Sequence, residues 1–142
     1  MADTILVPHD GSTHAQAALE YALETFSDAR IVLFHAIDPF AVVPDAEDQL
    51  PPLSDEWHDE QQAAAAALFE DARDAVDEGE SALETATSVG NPPQAIIAYS
   101  EDTDIDQIVM GNRGQRGVDG LRLGSTANLV VERAPVPVTV VR

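Results

Sequence analysis

The chain has 142 residues, no cysteine, and 26 acidic side chains set against seven arginines and no lysine, for a formal charge of −19. A chain of this length suits one domain, residues 1–142, with a substantial core; the missing thiols exclude disulfides and thiolate metal sites, and no apolar run is long enough to span a bilayer. So negative a surface makes nucleic acid and anionic membrane poor partners.

Met1-Ala2-Asp3 leads directly into Ile5-Leu6-Val7, unlike a secretion signal, so a soluble cytoplasmic protein is expected. Thr4 to Val7 reads as a first buried strand, running into Pro8-His9-Asp10-Gly11-Ser12. Ala15, Ala18, Leu19, Ala22, Leu23 and Phe26 then recur at helical spacing, with Glu20 and Glu24 on the other side. Ile31 to Phe34 is the second strand. The connection from Asp38 to Ser54, with Pro39, Pro44, Pro51 and Pro52, is long enough to suggest a partial lid. A helix is expected from Asp55 to Asp77, with Trp57, Ala64, Leu68, Ala72 and Val76 inward and the Ala63 to Ala67 run adding helix propensity. Ala82 to Val89, Ile105 to Met110 and Val136 to Val141 supply three more strands, and Pro92 to Tyr99 and Ser125 to Arg133 two more helices.

Repeated strand-then-helix units predict an α/β fold, a parallel sheet with helices on both faces. The first, second and fourth runs are continuously apolar, as strands buried on both sides must be. The third alternates with Glu84, Thr85, Thr87 and Ser88, and the fifth carries Pro137, so both suit edges. The order 3-2-1-4-5 satisfies all five and puts the topological switch between strands one and four, where open α/β sheets bind ligands.

Gly111, Gly114, Gly117, Gly120 and Gly124 are five of the eight glycines, and Arg113, Arg116 and Arg122 lie among them. Glycines let main-chain amides converge, and a helix starting near Ser125 adds its free N–H groups and positive dipole end, so an anion such as phosphate is the natural occupant. A Walker loop is excluded by the absence of lysine, and the dinucleotide fingerprint fits poorly because Asp10-Gly11-Ser12 follows the first strand. Asp10 suits the neutral donors of a sugar or an adenine amino group. Simpler roles compete: the glycines as an ordinary turn, Asp10 as a turn carboxylate, and Ser12, Ser125 or Thr13 with Gln16 as helix caps. His9, His14, His35 and His58 lack metal-site spacing, and surface or structural roles are expected for them. Asp102, Asp104 and Asp106 lack the glycine and distal glutamate of a calcium loop. No hydrolase triad can be assembled.

The glycine pattern, Gly111, Gly114 and then Gly124-Ser125, is similar to the nucleotide-binding signature of the universal stress protein family, ATP-binding branch. Val7-Pro8-His9-Asp10-Gly11-Ser12, His35-Ala36-Ile37-Asp38, Val89-Gly90-Asn91-Pro92, Asp106 to Gly111 and Ala134 to Val138 resemble the family in order along the chain. The resemblance implies a flavodoxin-like, Rossmann-like sheet with ATP at the switch point. Asp10 would lie by the adenosine, with the Pro8 and Ala36 backbone near adenine and ribose and Ser12 and Met110 completing that side. Gly111, Gly114, Gly117, Gly124, Ser125 and Thr126 would surround the phosphates, assisted by Mg or Mn; a phosphate role for Arg113 and Arg116 is expected from their charge and not from the resemblance, the alternative being that they point into solvent.

The resemblance also points to a homodimer joined through the last strand, Val136 to Val141, which as an unpaired edge would risk aggregation. The implied role is a stress-response regulator; slow ATP hydrolysis or phosphoryl transfer, and a nucleotide-free interaction module, are the alternatives. The arginine-only, acid-rich composition resembles proteins from organisms that accumulate salt in the cytoplasm.

Overall fold

A computed structural model describes residues 3–39, 54–76, 82–112 and 124–142. They form, in chain order, β1 (Thr4–Pro8), α1 (Thr13–Thr25), β2 (Arg30–Ile37), α2 (Asp55–Asp74), β3 (Ala82–Val89), α3 (Pro92–Asp102), β4 (Gln107–Gly111), α4 (Ser125–Arg133) and β5 (Val138–Val141). The strands make one sheet in the order β3-β2-β1-β4-β5, with every neighbouring pair parallel. This is the expected architecture, with the polar third strand and the proline-flanked fifth at the edges.

Alternation along the central strands divides the core in two. Ile5 and Val7 of β1, Ile31 and Leu33 of β2 and Val109 of β4 face α1 and α2, meeting Ala18, Leu19, Ala22, Phe69 and Ala72. The residues between them point the other way. Leu6 stands in register with Val32 and Ile108, and all three pack with Phe34 and Met110 against Ala95 and Ile96 of α3 and Ala127 and Val130 of α4. Strands covered on both sides must be apolar at every position, which is why periodicity alone found them.

Local chemistry sets the helix ends. Ser12 Oγ accepts from the Ala15 amide at 3.1 Å and Ser54 Oγ from the Trp57 amide at 3.1 Å, satisfying amides that a first turn leaves unpaired. Asp55 and Glu56 add negative charge to the α2 start, and Arg73 in its last turn donates to the Leu83 carbonyl at 2.6 Å. Ser12 is therefore the cap of α1, and the Thr13–Gln16 capping box does not form: Thr13 is already helical and Gln16 is used elsewhere.

Three expected boundaries or faces shift. On α2 the buried positions are Trp57, Ala65, Phe69 and Ala72, with Leu68 and Val76 half-buried and Ala64 exposed. Five consecutive alanines carry no phase of their own, and Phe69 sets it. Strand β4 starts at Gln107, after the buried Ile105, because Asp106 brackets β1: its amide donates to the Thr4 carbonyl at 2.9 Å and its carboxylate accepts from the Thr4 amide at 2.7 Å. Strand β5 begins at Val138, since prolines flank Val136; the Pro137 carbonyl still accepts from the Ile108 amide at 2.9 Å. Most of the Asp38–Ser54 connection lies outside the described residues.

Candidate functional site

Strands β1 and β4 are neighbours, yet β1 leads to α1 on one face and β4 to α4 on the other. In open α/β sheets, ligands bind beyond the carboxyl ends of two neighbouring strands that lead to opposite faces in this way. Of the expected site residues, the fold brings Pro8, Asp10 and Ser12 to one side of this switch point and Met110, Gly111, Gly124, Ser125 and Thr126 to the other. Ala36 lies one strand away on β2, packed toward the α3/α4 core. Arg113, Gly114 and Gly117, with Arg116, Gly120 and Arg122, lie outside the described residues.

The β1 side is a tight turn. Gly11 adopts a φ of +87°, a left-handed conformation that a side chain would strain. Two side chains hold the turn: Asp10 Oδ1 accepts from the Ser12 amide at 2.9 Å, and His9 Nδ1 accepts from the Gly11 amide at 3.0 Å. The Asp10 side chain is at the exposed tip, while Ser12 is buried as the helix cap. Asp10 thus does act as a turn carboxylate, at an exposed position beside the carboxyl end of β1.

His9 is only 6% exposed. Because Nδ1 accepts a hydrogen bond, the ring proton sits on Nε2, which donates to Gln16 Oε1 at 2.9 Å; Gln16 Nε2 in turn donates to the Ala72 carbonyl of α2 at 3.1 Å. The His9 carbonyl accepts from His35 Nδ1 at 2.9 Å, and the His35 ring meets Phe69 edge-on. Burial dominates the electrostatics and lowers the His9 pKa from its usual 6.5; the bond to Gln16 and nearby Asp10 act the other way, and His35 lowers it further. The structural role expected for His9 is thus observed, in a network the sequence did not reveal. A histidine directly before Asp-Gly, with a glutamine seven residues on, was its one visible trace.

On the β4 side, a Cβ on Gly111 would lie 2.6 Å from both the carbonyl carbon and oxygen of His14 and 2.9 Å from the Ala15 nitrogen. Gly111 is therefore needed so that the end of β4 can abut the first turn of α1. Met110 is buried in the α3/α4 core, so its side chain is committed to packing. The next residue, Asn112, is a main-chain clamp: its amide donates to the Val141 carbonyl at 2.9 Å and its carbonyl accepts from the Gly124 amide at 2.9 Å. The two ends of the 113–123 segment thus meet directly at the end of β4. Helix α4 begins there with Gly124 as its cap, and among the described residues no side chain caps its first turn. Ser125 is the first helical residue and does not cap, unlike Ser12 and Ser54.

A separate open groove of about 430 Å³ runs between α2 and β3, floored by Ala65, Ala66, Phe69 and Ala86. Its arginine, Arg73, is bonded to the Leu83 carbonyl, and it lies away from the β1 and β4 ends. Among the described residues no group of three or more His, Asp or Glu could hold a metal ion, and no helix is long and apolar enough to cross a membrane.

A doubly wound parallel sheet of this order, with a glycine turn after β1 and a helix start after β4 at its switch point, defines a Rossmann-like α/β protein. The chain belongs to the universal stress protein family, whose family model matches residues 1–142. It is 34% identical to a universal stress protein of Thermus aquaticus over the full length of both. Among solved structures it resembles universal stress protein UspA from Lactobacillus plantarum, with a TM-score of 0.78 and 31% identity over 99% of this chain and 97% of that one. It also resembles a universal stress protein solved in complex with cAMP, with a TM-score of 0.69 and 27% identity over 99% and 97% of the two chains.

Proposed function

We propose that this protein binds ATP at the β1/β4 switch point and acts as a nucleotide-responsive regulator in the stress response. The observation that carries the reading is that the exposed Asp10 turn after β1 and the Gly124 start of α4 stand at one switch point of the sheet. Asp10 offers a carboxylate to the neutral donors of adenosine. Gly124, Ser125 and Thr126 offer a helix start whose amides and positive dipole suit phosphate, and the Asn112 carbonyl ties Gly124 to the end of β4. The nucleotide found in the cAMP complex of a 27% identical relative supports the ligand class. A divalent ion, Mg or Mn, would reach the site on the phosphates and offset their charge. In this reading Gly114, Gly117 and Arg113 line the phosphate side.

The working form is a homodimer joined through the β5 edge, in the cytoplasm of a salt-accumulating organism. The carbonyls of Pro137 and Val141 are used by β4, so the main-chain groups of Val138 and Val140 point to the open side of the sheet, where a second copy can pair. Sedimentation at high salt should give a dimer, and a monomer at all concentrations would remove this part.

Calorimetry with ATP and Mg at molar salt tests the site. Asp10→Asn keeps an acceptor for the Ser12 amide but turns the other oxygen into a donor, and should weaken ATP about tenfold or more. Gly114→Trp should abolish binding. Unchanged affinity in both variants would overturn the proposed site.

A further inference from the structure

His9 lies outside the set of residues expected to touch ligand, yet its Nδ1 holds the amide of Gly11 between Asp10 and Ser12. We propose that His9 is a positioning residue for the nucleotide site: as a neutral ring it locks the Asp10 turn, and on protonation it releases the turn and weakens the binding of adenine nucleotide. The inference rests on the reading that Asp10 meets the nucleotide.

The geometry admits one protonation state. The Gly11 amide donates to Nδ1, so a proton on Nδ1 would set two donors against each other at 3.0 Å. Nε2–H donates to Gln16 in either state, so that bond survives protonation and the Gly11 bond does not. Gly11, at φ +87°, has no side chain to restrain it, and Asp10 adds a second hold on the turn by accepting the Ser12 amide. A charged His9 would also sit beside the Asp10 carboxylate and draw it away from neutral donors on a ligand.

Among the described residues, the charged or titratable groups facing His9 are Asp10 from its own turn and His35 from β2. From α1 and α2 it meets the neutral Gln16 side chain, which bonds the Ala72 carbonyl. His35 donates from Nδ1 to the His9 carbonyl at 2.9 Å. Burial favours the neutral ring, so the lock is closed near neutrality and opens as the solution is acidified.

The test compares the wild type with His9→Asn and His9→Leu. Asparagine places Oδ1 where Nδ1 stands, accepts the Gly11 amide and does not titrate; leucine fills the space and accepts nothing. ATP affinity is measured by calorimetry from about pH 8 to about pH 5. Wild-type affinity should fall at least about threefold more steeply over this range than that of His9→Asn, which should match the wild type near neutrality; His9→Leu should be weak throughout. Using the asparagine variant as reference cancels the pH dependence that does not come from His9. Parallel pH profiles for wild type and His9→Asn would overturn the proposal while leaving the ATP site standing. If no variant binds ATP at any pH, the site reading fails by itself. The lock is then judged by NMR of the free protein: the His9 ring should be the Nε2–H tautomer, and the Gly11 amide should shift with His9 titration in the wild type only. A different tautomer, or a Gly11 amide indifferent to that titration, would refute it.

Discussion

The end of β4 touches the start of α1 so closely at Gly111 and His14 that a methyl group on the glycine would fall 2.6 Å from the histidine carbonyl carbon. The neighbour is backbone and cannot rotate aside. Gly111→Ala should therefore displace the first turn of α1, costing about 1–3 kcal/mol in denaturant unfolding. Because that turn follows Ser12, ATP affinity should fall too. A variant as stable as the wild type would show that α1 shifts freely at this contact.

The two serines at helix starts should respond differently. Ser12→Ala removes an observed cap and leaves the Ala15 amide without that acceptor, so about 1 kcal/mol of stability should be lost. Ser125→Ala removes no cap, so its melting temperature should stay near the wild type while ATP affinity drops. Equal effects on stability, measured by thermal melts at fixed salt, would contradict this division.

Stability without ligand should depend on pH through His9. Its folded pKa lies below 6.5, so the unfolded chain takes up this proton first as the solution is acidified. The contribution is fully present above 6.5 and is lost as pH falls from there through the lower folded value. Urea midpoints measured between about pH 7.5 and about pH 5 should decline more in the wild type than in His9→Asn.

Salt should matter more than for a balanced surface. With a net charge of −19, self-repulsion opposes the compact state and also repels ATP; at molar salt the screening length falls to about 3 Å. Dilution to millimolar salt should lower both the melting temperature and the affinity for ATP. A melting temperature flat across this range would show that the acidic groups are already compensated in the fold.

The element order, the parallel sheet, its edges and its switch point were legible in the residues, because two-sided burial demands unbroken apolar runs and a proline cannot serve a central ladder. The candidate residues Asp10, Gly111 and Gly124 were legible too, as the unusual chemistry at two strand ends. The phase of α2 was not, since a run of alanines is hydrophobic in every direction until Phe69 docks against the sheet.

What the sequence by itself determined was which segments are strands and helices and at which end of the sheet the polar residues gather, since these follow from local periodicity and composition. Tertiary structure alone decided the rest: that Gly111 is a contact with α1, that the Asn112 carbonyl receives the Gly124 amide at the start of α4, and that His9 is buried with its proton on Nε2. Each depends on an atom from a distant part of the chain, the His14 carbonyl, the Asn112 carbonyl beside Gly124, or the Ala72 carbonyl behind Gln16, and local sequence carries no information about which atoms folding will bring within 3 Å.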